Sequence, residues 1–399
     1  MTHRPPHRGR PRAALALLAG AVTACGLIAA PAAAAGQDDR RDGGGGGGRD
    51  GALHKRLERL VRTPGGPPGV IVVLQRGKER RVVRAGVAEV GTERRPRPDD
   101  HMRLASAAKM FTGAVSLQLV DRGRLRLDDT IGEILPHLPT AWHEVSLRHL
   151  LQHTSGLPDF SESPEFREIL ISDPHHVFDS RRLLDFVAGE PLAFPPGTRY
   201  AYSNSDNIAI ALMAEAVTGK RYEELLARLV YRPLKLRDTS LPSGFELPEP
   251  YLHGYDVRPP EPPQDVSELF GASGAWASGG IVSTPADVNR FVRGYAGGRL
   301  LSDATRRAQL TFLEGAASEP AGPGANAAGL ALYRYTTRCG VVYGHTGNTP
   351  GYTQLAVATE DGRRSMTFSI TTQTSKSVKP ALLARLREVQ EDFVCALLK

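Results

Sequence analysis

The sequence predicts a mixed α/β (α+β) fold: an antiparallel sheet flanked by N- and C-terminal helices, with an all-helical domain inserted. Three observations carry this. Strand-like runs rich in β-branched residues open the domain at 69–75 and 81–86, and return near its end at 329–336, 340–345, 352–358 and 364–372. Between them, 106–121, 146–152, 180–188, 205–218 and 221–230 carry the 3.6-residue apolar spacing of helices. Amphipathic helices at 53–61 and 379–398 bracket the whole, with a further helix near 285–296. Strands from both ends of the domain close one sheet, which makes the helical middle an insertion. The expected lobes are α/β at 53–103 and 284–399 and helical at 104–283, and ligand clefts favour such a junction.

Taken in order, residues 1–35 read as a secretory signal peptide. Arg4, Arg8, Arg10 and Arg12 precede 23 uncharged residues, 13–35, that end in a Pro31 break and a run of alanines. A retained membrane anchor and a lipoprotein attached through Cys25, within Val22-Thr-Ala-Cys25, are the weaker alternatives. Four of the net +7 charges lie in this leader, so the basic balance gives no support to a nucleic-acid partner. A hydrophobic fraction of 41% and a charged fraction of 23% exclude wholesale disorder and a polytopic membrane protein. Residues 36–52, with six consecutive glycines, read as a flexible linker. They lack the preceding strand and the Gly-Lys-Ser/Thr of a phosphate-binding loop. If Cys25 leaves with the signal, Cys339 and Cys395 remain. In an oxidising compartment one bridge is the default, and two buried thiols is the alternative.

The helix at 106 opens with Ser106-Ala-Ala-Lys109. A spacing of three puts hydroxyl and amine on one helical face, one turn apart. Serine is a weak nucleophile until a base takes its proton, and lysine serves as that base only when its pKa is pulled down. Alone the motif is weak, since chance supplies roughly 0.4 such occurrences here. The plain reading is an N-cap hydroxyl and a solvated lysine. Tyr202-Ser203-Asn204 before a predicted helix and His345-Thr346-Gly347 on a predicted strand change the odds, and Gly347 is expected to admit a substrate backbone.

With these three motifs in this order, the chain from about 53 to 396 resembles the serine penicillin-recognising family, which includes D-alanyl-D-alanine carboxypeptidases and class C β-lactamases. Supporting stretches are Leu127-Asp-Asp-Thr-Ile131, His153-Thr-Ser-Gly-Leu157, Pro196-Gly197, and Pro350-Gly351-Tyr352 after Gly344-His-Thr-Gly347. The resemblance implies a β-lactamase/transpeptidase-like fold in which Ser106 becomes acylated and Lys109 accepts its proton, directly or with Tyr202. Tyr202 would return a proton to the leaving amine, and Asn204 would hold Lys109 and the substrate amide. Backbone N–H groups of Ser106 and Asn348 would form the oxyanion hole. His345 and Thr346 would face the substrate's carboxylate, and Trp276 would wall the pocket. A cysteine just upstream of the His-Thr-Gly motif, paired with one in the final helix, is similar to an exported actinobacterial-type subgroup that also carries this histidine.

Two departures bear on specificity. His345 is largely neutral at pH 7 where the family often has lysine, so Arg334 or Arg338 is expected to supply a cation. Asn348 stands where a hydroxyl is common. The expected protein is therefore a secreted, monomeric serine-type D-alanyl-D-alanine carboxypeptidase acting on peptidoglycan-type peptides and acylated by β-lactams. It would need no cofactor and no metal. The rivals are a β-lactamase, an esterase or D-amino-acid amidase of the same fold, and a non-catalytic wall-binding or penicillin-sensing module. Plainer readings hold elsewhere: His149 and His153 sit at i, i+4 without the glutamate of a zinc motif, His175-His176 read as surface, and Asp128-Asp129 as turn chemistry. Trp276 keeps plain core packing as its alternative.

Overall fold

The computed structural model describes residues 47–399. The expected signal peptide, Cys25 and most of the linker lie outside the described residues. The helix Gly47–Val61 begins six residues before the predicted start. Its anchors are buried Leu53, Leu57 and Leu60, and the glycines ahead of them carry no periodicity from which a start could be read.

Strands β1 (Gly69–Arg76) and β2 (Glu79–Gly86) form an antiparallel hairpin that turns at Gly77, where φ is +54°. The middle of the chain adds only two-residue strands: β3 (Met102–Arg103), β4 (Tyr255–Asp256), β5 (Gln264–Asp265) and β6 (Val282–Ser283). β3 pairs with β6 where the helical segment leaves and returns. The C-terminal part supplies β7 (Leu313–Glu314), β8 (Ala325–Ala328), β9 (Tyr333–Thr337), β10 (Gly340–Thr349), β11 (Tyr352–Ala358) and β12 (Arg364–Ile370). The main sheet runs β2-β1-β12-β11-β10-β9-β8-β7, every neighbouring pair antiparallel. Val72 pairs with Phe368, so the two ends of the domain meet in its interior.

Alternation along β1 explains its unbroken apolar sequence. Val70, Val72 and Leu74 face one core with Phe368, Leu386 and Phe393, beneath the terminal helices Gly47–Val61 and Pro380–Leu398. Ile71 and Val73 face the other core, with Phe111 and Phe291 from the helices Lys109–Asp121 and Pro285–Ala296. A strand covered on both faces has no polar side. Lys109–Asp121 and Ser205–Thr218 are likewise buried over most of their circumference, as central helices must be. Cys339, in the β9–β10 turn, is bonded to Cys395 of the last helix. Among the described residues, no helix is long and apolar enough to cross a membrane.

Only the second half of the predicted strand at 329–336 is extended, and a strand at 325–328 was not predicted. β8 ends at Ala328, β9 starts at Tyr333, and the buried Leu330–Leu332 turn between them holds Ala331 at a φ of +51°. An apolar run reports burial and leaves backbone direction open. β10 runs on through His345-Thr346-Gly347 to Thr349, four residues past its expected end.

Candidate active site

Ser106 sits on a tight 3-10 turn, Ala105–Ala108, that leads into the helix Lys109–Asp121. Ala105 has a φ of +49°, a conformation rare outside glycine and typical of residues held in place for function. Lys109 is buried. Its Nζ donates to Ser106 Oγ at 3.2 Å, to Asn204 Oδ1 at 2.7 Å and to the Ser278 carbonyl at 2.8 Å. Burial lowers its pKa to about 7, against smaller opposing effects from Asp159 and Asp206. A lysine near neutrality at pH 7 can take a proton from a serine one turn away.

Asn204 is fixed from behind. Asp159 Oδ2 accepts from the Asn204 backbone N–H at 2.9 Å and from Nδ2 at 3.0 Å, which leaves Oδ1 aimed at the lysine. Tyr202 Oη is buried beside Ser106 and makes no hydrogen bond of standard geometry. Burial pushes this phenol well above its usual range, with Ser106 offsetting a little, so it is a proton donor at neutral pH. Lys109 Nζ lies 5.0 Å from the Tyr202 ring centre.

Ser106 and Asn204 open into a cleft of about 420 Å³. Phe160, Phe166, Leu170 and Phe270 make its apolar side, and Arg103, Asn348, Thr349 and Gln373 its polar side. β9 pairs with β10 only as far as Gly344, while β11 pairs with it to Thr349. One backbone edge of β10 from His345 onward is therefore left without a strand partner at the serine turn. A buried amine poised on a serine, a neutral phenol and an open strand edge together make a nucleophile, a proton donor and backbone donors.

The Beta-lactamase family model matches residues 57–391. The chain belongs to the Beta-lactamase family, within the serine penicillin-recognising superfamily. It is 25% identical over 311 residues to penicillin-binding protein 4* of Bacillus subtilis, covering 75% of this chain. It is 29% identical over 244 residues to the D-alanyl-D-alanine-carboxypeptidase/endopeptidase AmpH of Escherichia coli, covering 58% of this chain. The matches span 66% and 58% of those two relatives' own lengths. Among solved structures it is similar to a D-stereospecific amidohydrolase from Streptomyces sp., with 29% identity and a TM-score of 0.71. That match covers 81% of this chain and 94% of that one. The fold is the mixed α/β β-lactamase/transpeptidase fold, and the family is one of serine hydrolases.

Within this Beta-lactamase-family cleft the structure brings together Ser106, Lys109, Tyr202 and Asn204, with Asn348 on the polar side. Several other expected placements change. His345 does not face a substrate carboxylate: its ring is buried, and Nδ1 donates to the Thr346 carbonyl at 2.5 Å. Burial, then the nearby Lys109, lowers its pKa to about 3, so it carries no charge. Thr346 is buried too and donates to the Pro320 carbonyl at 2.7 Å. Gly347 admits the protein's own backbone where a substrate was expected, because a Cβ there would lie 2.1 Å from the Leu104 carbonyl oxygen. Its bareness lets β10 press against the serine turn. Asn348 Oδ1 is held internally by Thr353 Oγ1 and the Thr374 N–H.

Arg334 is no cation of the cleft. It forms a bidentate pair with Glu314 and lies over Phe312, on the other side of β9 from Tyr333. Arg338 is bound to Glu391 and Asp392 of the last helix. Trp276 takes its plainer reading. It is buried against Tyr222, donates to Glu223 at 3.0 Å and does not line the cleft. His149 caps its own helix while His153 pairs with Asp206, and no group of metal-binding side chains occurs among the described residues. Sequence reasoning missed Asp159, Ser278 and the His153–Asp206 pair. Asp159 stands two residues after the His153-Thr-Ser-Gly-Leu157 stretch, which was the available signal.

Proposed function

We propose that the protein is an exported serine hydrolase that cleaves amide bonds of D-configured substrates by way of an acyl-enzyme at Ser106. The observation that carries this is the buried Lys109 amine, 3.2 Å from Ser106 Oγ and already near neutrality at pH 7. In the first half-reaction Lys109 takes the Ser106 proton and Oγ bonds to the substrate carbonyl carbon. The resulting oxyanion rests on the backbone N–H groups of Ser106 and Asn348. Tyr202 gives its proton to the leaving amine and regains one from the Lys109 ammonium, so the amine departs neutral. Water then hydrolyses the ester and returns Ser106. The names of the D-stereospecific amidohydrolase and of AmpH support D-configuration, and the arginine-led, uncharged stretch of 1–35 supports export.

The amide reading stands first because the three basic side chains expected at the carboxylate end are spent elsewhere: His345 is buried and neutral, and Arg334 and Arg338 are bound by acids. A second reading, D-alanyl-D-alanine carboxypeptidase, is favoured by Arg103. It lines the cleft and is held by the Ser267 and Phe245 carbonyls, with Glu268 acting on it only from beyond ion-pair distance.

The test compares a D-aminoacyl amide, its L-isomer and an N-acyl-D-Ala-D-Ala peptide, alongside labelling by a fluorescent penicillin, in native protein and Ser106→Ala. We expect labelling and D-selective amide hydrolysis in the native protein alone. Absence of both would sink the proposal. A peptide kcat/KM above that of the amide, with Arg103→Gln raising KM for the peptide only, would select the carboxypeptidase.

A further inference from the structure

The Tyr202 hydroxyl meets Ser106 but makes no hydrogen bond of standard geometry, so what packs around the ring does most to hold it. His153 surrounds the residue on three sides. Its carbonyl accepts from the Ala201 N–H at 2.9 Å, its Nδ1 accepts from the Ser203 N–H at 3.4 Å, and its ring lies 4.4 Å from the Tyr202 ring at 34°. Both chain neighbours of the tyrosine and the tyrosine itself thus meet one residue, Ala201 at its backbone carbonyl and Tyr202 and Ser203 at its ring. His153 has a φ of +56°, a left-handed conformation uncommon outside glycine that fixes the direction of its side chain and carbonyl.

The imidazole is itself held. Asp206 Oδ2 lies 2.7 Å from His153 Nδ1, and Oδ1 accepts from Ser155 Oγ. Both side chains are buried. The 2.7 Å contact to Asp206 is much the shorter of the two at Nδ1, so the carboxyl group sets the direction in which the imidazole faces. Burial acts the same way on both partners, pushing Asp206 well above the carboxylate range and lowering His153 to about 3.

We propose that His153 is a positioning residue for Tyr202, and that Asp206 fixes the imidazole in the orientation that clamps the Tyr202-Ser203-Asn204 loop. The chemical consequence rests on the hydrolase reading above, in which Tyr202 protonates the leaving group. The clamp itself does not.

Leaving-group dependence separates this role from simple loss of structure. An amide needs a proton on its departing nitrogen, whereas a p-nitrophenyl ester expels a stable anion without one. His153→Phe keeps an aromatic ring and removes both Nδ1 contacts. We expect it to lower kcat for the D-amide about 10–100-fold, with KM little changed, and to lower p-nitrophenyl ester hydrolysis less than about threefold. Asp206→Asn keeps a hydrogen-bonding group against the same Nδ1 and should keep most of the amide kcat, while Asp206→Leu should behave like His153→Phe. Equal losses on ester and amide, or Asp206→Asn as damaged as Asp206→Leu, would overturn the positioning role.

Hydrogen exchange at the Ala201 and Ser203 amides reads the clamp without substrate. It should be slow in the native protein and Asp206→Asn and faster in Asp206→Leu and His153→Phe. Uniform exchange in all four proteins overturns the clamp whether or not any substrate is cleaved. A native protein inactive on both substrates but with the expected exchange pattern would condemn the hydrolase reading and leave the clamp standing.

Discussion

The two faces of the sheet are built from different materials. Against the inner face lie Lys109, His153, Asp206 and His345, all buried and titratable, the three bases with pKa values lowered by burial and the acid with its own raised, each toward the neutral form. Against the outer face lie two amphipathic helices on a core of Val72, Phe368, Leu386 and Phe393, closed by the Cys339–Cys395 bond and by Arg338 on Glu391 and Asp392. Desolvating an ionisable group costs stability unless the group stays neutral and bonded. The inner face sacrifices stability for reactivity, and the outer face supplies the cohesion to tolerate it.

The largest break in this comparison comes at Lys109. Lys109→Met keeps the length and removes the amine, so acylation by substrate or penicillin should fall about a thousandfold or more while the fold persists, read by burst kinetics and circular dichroism. Retention of a tenth of native activity would show that some other group takes the serine proton. The native acid limb sharpens the same point. Protonated Lys109 cannot accept a proton, so kcat/KM should rise with pH through an apparent pKa of about 7.

Stability should respond to acid from the inner face. A histidine held down to about 3 in the fold takes up a proton near 6.5 once unfolded. The stabilisation is thus complete above pH 6.5 and lost as pH falls from 6.5 toward 3. His345→Asn should flatten the fall in Tm between pH 7.5 and 4.5 relative to the native protein. Parallel curves would show that His345 titrates in the fold like an exposed imidazole. Asp206 acts with the opposite sign, since its carboxyl holds a proton that the unfolded chain has lost, which makes His345 the cleaner probe.

The outer face should break without touching chemistry. Cys339→Ala with Cys395→Ala opens a loop closed across 56 residues, and chain entropy puts the loss at about 2–4 kcal/mol. Denaturant melts should show that loss while kcat at 25 °C stays native. A tenfold fall in kcat would mean that the bond tunes β10, and the separation of the two faces would fail.

What was legible in the sequence follows the same division. Ser106 and Lys109 lie one helical turn apart and could be read locally, and the alternation of β1 and the terminal helices marked the sheet and its closure. The partners of those residues were not legible, because tertiary packing brings Asp159 to Asn204 across 45 positions and His153 to Asp206 across 53. Gly347 was legible as a site of close approach, but whether substrate or the Leu104 carbonyl approaches depends on which edge of β10 meets the serine turn.

Arg334 gives the smallest effect and the sharpest lesson in register. Successive strand residues point to opposite sides, so register decides which face of β9 a cation takes, and its neighbours on that face decide whether it is free to meet a ligand. Tyr333 belongs to the core under the terminal helices, though its ring reaches to 4.9 Å from that of His345, while Arg334 shares the face of its register partner Tyr343 and is taken up there by Glu314, which is 70% exposed. An ion pair so open to solvent contributes little, about 0–1 kcal/mol. Arg334→Gln should therefore shift Tm by no more than a few degrees and leave KM unchanged for amide and D,D-peptide alike. A KM that rises for the carboxylate-bearing peptide alone would return Arg334 to the cleft, and with it the carboxypeptidase reading.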